Sequence, residues 1–207
     1  MKVYGHPLST CTRKVLTILA EKGVTPDLDV VDFAKGEHKQ DTHLAFQPFG
    51  QLPAIEDDGF VLYESRAIMR YLDEKLPGTS FTPKDPKQRA LMEQWISVEM
   101  SNFTPAAMKV IFQRVFHPMF GKPVDEDIVA AGRTDVAKAV AVMEKQLSKT
   151  TYLVGEEVTL ADLTFLPYVE YLFAANSGDL ITSSPSVSRW WTAMSTRSSW
   201  KTVTGKN

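Results

Sequence analysis

One cysteine, Cys11, stands in 207 residues. No intramolecular disulfide can form, which fits a chain expected in the cytoplasm. No apolar run approaches the ~18–20 residues of a membrane helix, and Met1–Thr10 lacks the charged-then-apolar order of a secretory leader. Neither sign of charge dominates: 23 Lys and Arg face 25 Asp and Glu. Without a basic excess, a nucleic-acid partner is not expected. The phosphate-cradling patterns GxGxxG and GxxxxGK[ST] are absent, as is the GxSxG nucleophile elbow. The four histidines, His6, His38, His43 and His117, form no HExxH and no Cys-His cluster, so no metal site is expected.

What is present reads as two regions. Residues 1–77 alternate short apolar runs with amphipathic stretches. Lys2–Gly5 reads as a strand, and Val15, Leu16, Ile18 and Leu19 as a helix stripe opened by Ser9 and Thr10. Leu28 to Phe33 reads as a second strand, and Gly36 to Phe46 as a short polar helix. Ala54 to Tyr63, turning at Asp57–Asp58–Gly59, reads as a hairpin. Ser65 opens a helix with Ala67, Ile68, Tyr71 and Leu72 on one face. Residues 78–88 are proline-rich and aperiodic, the best linker in the chain. Residues 89–207 read as helices, over about Arg89–Val115, Asp125–Leu147, Thr159–Phe173 and Pro185–Met194. The fold class is α/β followed by all-α.

Several residues carry two readings each. Ser9 sits between a strand end and a helix start, where it is either an N-cap or a hydroxyl donor toward an anion. Pro53 is either a strand-start proline or the cis residue that turns the Leu52 backbone outward toward an extended peptide. Glu64, Ser65 and Arg66 are either a solvated helix start or a clamp for a carboxylate and an ammonium. Glu37, His38 and Lys39 read alone as a polar surface run.

Four stretches resemble the glutathione transferases, the phi class most closely. They are Gly5–Val15 (GHPLSTCTRKV), Gly36–Lys39 (GEHK), Pro48–Asp57 (PFGQLPAIED) and Tyr63–Ile68 (YESRAI). Tyr152–Asp162 (YLVGEEVTLAD) resembles the second domain of the same family. The resemblance implies a thioredoxin-like βαβ-ββα domain followed by a helical bundle, working as a homodimer. It implies Ser9 as the catalytic serine that stabilises the glutathione thiolate. It assigns His38, Lys39, Gln51, Leu52, Pro53, Glu64, Ser65 and Arg66 to glutathione, with Pro53 the family's cis-proline. Thr159 and Asp162 match the family's N-capping box, and their spacing independently supports a helix start. Phe49 resembles the aromatic key that enters a partner subunit. Glutathione is the implied co-substrate, with no further cofactor.

An apolar electrophile site is expected between the domains. Its candidates are Leu8 and Phe33 from the first, and Phe112, Phe116 and Phe120 at helical spacing from the second. Two rival functions stay open. One is a non-catalytic binder of apolar ligands; the other is thiol–disulfide exchange or peroxidase chemistry through glutathione or Cys11. Cys11 lies two residues past Ser9, about 200° further round a helix.

Overall fold

The computed structural model describes residues 1–206. In its first unit, strand alternation along β1 (Lys2–Gly5) buries Val3 and Gly5 on one face and sends Tyr4 to the other. β1 pairs in parallel with β2 (Asp27–Val30) and antiparallel with β3 (Ala54–Asp57), which pairs antiparallel with β4 (Phe60–Tyr63). The sheet order is β2-β1-β3-β4. Two helices, α1 (Thr10–Glu21) and α3 (Ser65–Lys75), pack against each other and bury Val15, Ile18, Leu19, Ile68, Met69 and Leu72. On Tyr4's side lie a 3₁₀ turn (Glu37–Lys39) and the short α2 (Asp41–Leu44), where Tyr4 stacks on Phe46 at 4.4 Å.

The second strand is shorter than its apolar run suggests: it ends at Val30, and Phe33 lies in the following loop. The expected single helix from Gly36 is two pieces, because Gln40 is extended.

The second unit is helical. α4 (Pro86–Val98), a π turn (Glu99–Phe103), α5 (Thr104–Ile111), a second π turn (Phe112–Phe116) and α6 (His117–Met119) follow without interruption. Each π turn directly precedes a proline-bearing turn, at Pro105 and at Pro118. Proline has no N–H and clashes with the carbonyl four residues back, so a locally widened turn is its physical accommodation. α7 (Glu126–Leu147) is capped by Asp125, whose carboxylate accepts from the Asp127 and Ile128 amides, and its stripe of Val129, Val136, Val140 and Met143 is buried. α8 (Leu160–Ala174), α9 (Asp179–Thr182) and α10 (Pro185–Ser195) complete the unit.

α8 starts on the expected box. Asp162 Oδ2 accepts from Thr159 N (2.9 Å) and Thr159 Oγ1 (3.1 Å), while Oδ1 accepts from Leu153 N (3.0 Å) and Trp190 Nε1 (2.9 Å). Burial pushes the Asp162 carboxyl up, and the four donors pull against it.

The unit boundaries correct the expected 1–77, 78–88 and 89–207. The first unit comprises Met1–Thr82 together with the chain from Ser198 onward; the second is Pro83–Arg197. Two physical reasons account for this. Residues 79–81 are fastened down: the Lys22 ammonium pairs with Asp73 Oδ1 at 2.8 Å and donates to the Asp73 and Thr79 carbonyls, while Asp73 accepts from Phe81 N. Phe81 is itself buried. And α11 (Ser198–Thr204) packs on α1, where Ser199 Oγ donates to Glu21 at 2.6 Å and Trp200 is buried. The expected linker also ends early, since Asp85 caps α4 and Pro86 occupies its first turn. Among the described residues, no helix is long and apolar enough to cross a membrane.

Candidate active site

The β1–β3–β4 register gathers one end of the sheet. Tyr4 faces Ala54 and Ala54 faces Tyr63, so the segments 5–9, 51–53 and 64–65 leave their strands side by side. Each then has its own local reason for its shape.

Ser9 is the N-cap of α1: its backbone is extended (φ −73°, ψ 125°) and its Oγ accepts from Thr12 N at 3.2 Å. Both readings of Ser9 are therefore compatible. Capping uses an oxygen lone pair, while the hydroxyl hydrogen has no acceptor among the described residues. The preceding loop is set by Ser9 N donating to His6 O (2.8 Å), Leu8 N to His6 Nδ1 (3.1 Å) and His6 N to Thr12 Oγ1 (3.3 Å). Cys11 is half-buried within α1, one position beyond the buried Thr10.

His6 leads across to the next segment through rings: it lies 5.8 Å from Phe33, which meets His38 edge-on at 4.9 Å. His38 Nδ1 is buried with no hydrogen-bond partner. Burial holds the His38 imidazole below its ordinary range, and the charges of Lys39 and His43 add to this. An orphaned polar atom of this kind calls for a partner that the chain itself does not supply.

Lys39 Nζ donates to the Phe49 carbonyl at 3.0 Å. This contact fixes Gly50, which has φ +61° and no room for a side chain: a Cβ there would lie 2.6 Å from His38 O. Two residues not singled out in the sequence hold the loop. Gln47 is buried and its Oε1 accepts from Phe49 N (2.7 Å) and Gln51 N (3.1 Å). His43 Nε2 lies 2.8 Å from the Gln51 carbonyl. A carbonyl only accepts, so His43 carries its proton on Nε2. The one available signal is the turn-forming run Gln47–Pro48–Phe49–Gly50, whose tight amides need an acceptor within the loop.

Leu52 is buried and the Leu52–Pro53 peptide is cis. Glu64 is exposed and holds φ 71°, uncommon for a residue other than glycine. Strained positions of this kind cost about 1–3 kcal/mol and cluster at binding sites. Ser65 is buried at the first turn of α3. Arg66 is half-buried, and its carbonyl accepts from Arg70 Nη1 at 2.9 Å.

The apolar candidates divide by unit. In the first, Leu8 and Phe33 are each 39% exposed. In the second, Phe112 and Phe116 meet edge-on at 5.5 Å, and Phe116 packs on Tyr171 at 5.4 Å. Phe120 does not continue their face: the helix stops at Met119 and Phe120 is its exposed C-cap residue. Phe49 is 64% exposed at its loop tip, with its ring edge-on to Tyr63 at 6.2 Å.

Taken together, these segments offer hydroxyl, imidazole, ammonium and carboxylate groups beside exposed backbone, which suits a small, extended, multiply charged peptide. Two family models match the chain: "Glutathione S-transferase, N-terminal domain" over residues 8–75 and "Glutathione S-transferase, C-terminal domain" over residues 103–198. Glutathione S-transferase F10 of Arabidopsis thaliana is 39% identical over 97% of this chain and 94% of its own. Glutathione S-transferase F9 of the same plant is 38% identical over 100% and 97%. Among solved structures, glutathione transferase F7 of Populus trichocarpa superposes with a TM-score of 0.94 at 40% identity, covering 100% of this chain and 99% of its own. Glutathione S-transferase I bound with lactoylglutathione superposes at 0.93 with 32% identity, covering 100% and 99%.

Proposed function

This chain belongs to the glutathione S-transferase family, and from that premise we propose how its own residues divide the work of conjugation. It is a phi-class-like transferase that joins the sulfur of glutathione to hydrophobic electrophiles. Glutathione is the co-substrate, and the chemistry below calls on no further cofactor.

Ser9 carries the chemical step. A free thiol, with a pKa of about 8.5, is only a few per cent ionised at neutral pH. Raising the thiol's ionisation constant about a hundredfold takes about 2.7 kcal/mol of selective anion stabilisation. A hydrogen bond from the Ser9 hydroxyl to the sulfur anion is worth about 1.5–3 kcal/mol. The N-terminus of α1 adds about 0.3–1 kcal/mol. The thiolate then attacks the electrophilic carbon, the carbon–sulfur bond forms and the leaving group departs with its electron pair. The observation that carries this assignment is the uncommitted hydroxyl hydrogen of Ser9 on a helix start that already uses the oxygen as acceptor.

The remaining residues hold the peptide. Ser65, at the start of α3, receives one carboxylate, and Glu64 receives the α-ammonium. His38 and Lys39 face the second carboxylate, with His38 Nδ1 finding there the partner it lacks in the free protein. Gln51 and Leu52 pair backbone to backbone with the extended peptide, next to cis Pro53. Arg66 follows Ser65 in the same helix turn. For the electrophile, the apolar candidates are Leu8 and Phe33 in the first unit and, separately, Phe112 and Phe116 in the second. Phe49 anchors a two-fold homodimer, and the protein works in the cytoplasm, where glutathione keeps thiols reduced.

The test is conjugation of 1-chloro-2,4-dinitrobenzene with glutathione, followed by its absorbance. Wild type turns over, and Ser9→Ala retains glutathione binding while losing most of the rate. Retained glutathione binding with no conjugation by wild type would favour the ligand-binding reading instead.

A further inference from the structure

The loop before β3 commits its polar backbone to two buried side chains. Gln47 takes the amides: its carbonyl accepts from Gly50 N (2.9 Å), and its Oε1 accepts from Phe49 N (2.7 Å) and Gln51 N (3.1 Å). Pro48 has no amide to place. His43 takes the Gln51 carbonyl, 2.8 Å from its Nε2. The two side chains form one support, since Gln47 N donates to the His43 carbonyl at 2.9 Å and both residues are buried.

The Gln51 carbonyl and the Leu52 amide belong to one peptide plane. That peptide is trans, so its C=O and N–H point in opposite directions. A carbonyl drawn toward His43 therefore turns the Leu52 N–H to the opposite side. Among the described residues, neither the N–H nor the C=O of Leu52 has a hydrogen-bond partner. We propose that His43 is a positioning residue for glutathione: by holding the Gln51 carbonyl it aims the Leu52 amide at the extended peptide.

The role rests on the reading that glutathione pairs backbone to backbone at this segment. The Gln51 amide is already committed to Gln47, so the donor left for the peptide is that of Leu52. Backbone pairing works only when donor and acceptor are in register, and a peptide plane free to rotate would have to be ordered each time the peptide binds. His43 holds that plane in advance. An apolar residue of the same size could fill the space in α2, but it would leave the Gln51 carbonyl unheld.

Conjugation kinetics on the full-length protein, with glutathione and 1-chloro-2,4-dinitrobenzene varied in turn, test this. His43→Leu should raise the glutathione KM about 5- to 50-fold, the scale of one buried hydrogen bond left unmade. The kcat and the KM of the electrophile should stay within about twofold, because the loss falls on binding of the peptide alone. His43→Gln, which carries an N–H donor at similar reach, should return the glutathione KM to within about threefold of wild type. A fall in Tm with unchanged glutathione KM, or no rescue by His43→Gln, overturns the role. Two measurements on wild type stand whether or not the variants fold. Nitrogen chemical shifts of the His43 imidazole should report the Nε2–H tautomer, and an Nδ1–H form overturns the role. Amide exchange at Leu52 should slow at least about tenfold under saturating S-hexylglutathione, as a newly bonded amide does. Unchanged exchange overturns the backbone-pairing reading and the role of His43 with it. Protection at Leu52 with an unchanged glutathione KM in His43→Leu overturns the role of His43 alone.

Discussion

The Thr12 amide lies 3.2 Å from Ser9 Oγ and donates to it, so the serine caps its helix as an acceptor and keeps its own hydrogen to give. The observed cap and the proposed thiolate donor are two uses of one hydroxyl, and they are read by different measurements. Ser9→Ala should cut conjugation by about 10- to 1,000-fold, as removal of one anion-stabilising donor does. It should also lower Tm by about 2–4 °C through loss of about 1 kcal/mol of capping. Cys11→Ala should leave conjugation nearly unchanged, and Ser9→Cys should exchange conjugation for disulfide exchange. Abolition by Cys11→Ala with full activity in Ser9→Ala would move the protein to the cysteine-type exchangers.

The proposed role of Ser65, buried at the start of α3, is holding glutathione rather than chemistry. Ser65→Ala should raise the glutathione KM several-fold and change kcat little, because it removes binding that ground state and transition state share. Steady-state kinetics with varied glutathione check this. A large fall in kcat at constant KM would count against the clamp.

The exposed Phe49 ring is a costly surface unless another copy covers it. Phe49→Ala should shift sedimentation toward monomer at micromolar protein, with each subunit still folded. An unaltered dimer would remove Phe49 from the interface core.

His38 gives a pH dependence of definite sign. Burial first, then Lys39 and His43, hold its imidazole below the ordinary 6.5. The unfolded chain therefore binds more protons across that window. The stability tied to neutral His38 is fully present above about pH 6.5 and is lost as pH falls through the depressed value. The Tm difference between wild type and His38→Gln should be flat from about pH 8 down to 6.5 and then shrink. A difference that stays constant to about pH 5 would show that His38 does not titrate with the fold.

Asp162→Ala tests the second unit. It strands the Leu153 and Thr159 amides and the Trp190 indole N–H without an acceptor. At about 1–3 kcal/mol for each stranded donor, Tm should fall by at least about 6 °C. Thermal melts followed by circular dichroism measure it, and a loss under about 2 °C would mean water replaces the carboxylate.

Much of this was legible where one residue's chemistry fixes local backbone. Asp125 announced α7, Thr159 and Asp162 announced α8, and the Asp57–Asp58–Gly59 turn announced the hairpin. The four-residue stripe of α7 needed only its period. What stayed hidden depends on partners distant in sequence. Lys22 reads as a surface lysine after a helix, yet it is buried against Asp73 and two carbonyls. Gln47 and His43 shape the 49–51 loop through backbone atoms, which leave no trace in side-chain pattern. The π turns have no apolar signature of their own; only the prolines after them hint that a regular helix must give way. At the site, the resemblance proposes residues for glutathione, whereas the stranded nitrogen of His38 appears only once the rings around it are placed.

The first unit is written in two separate pieces of sequence, because the last helix comes back to α1 after the whole second unit has been spelled out. Cutting the gene at the linker would therefore not yield a module. Residues 1–82 alone would expose the groove that Trp200 fills, and grafting a foreign helical domain after Thr82 would have to carry this closing helix with it. That return stitch restricts which exchanges of the second unit can survive: recombination must respect both ends at once.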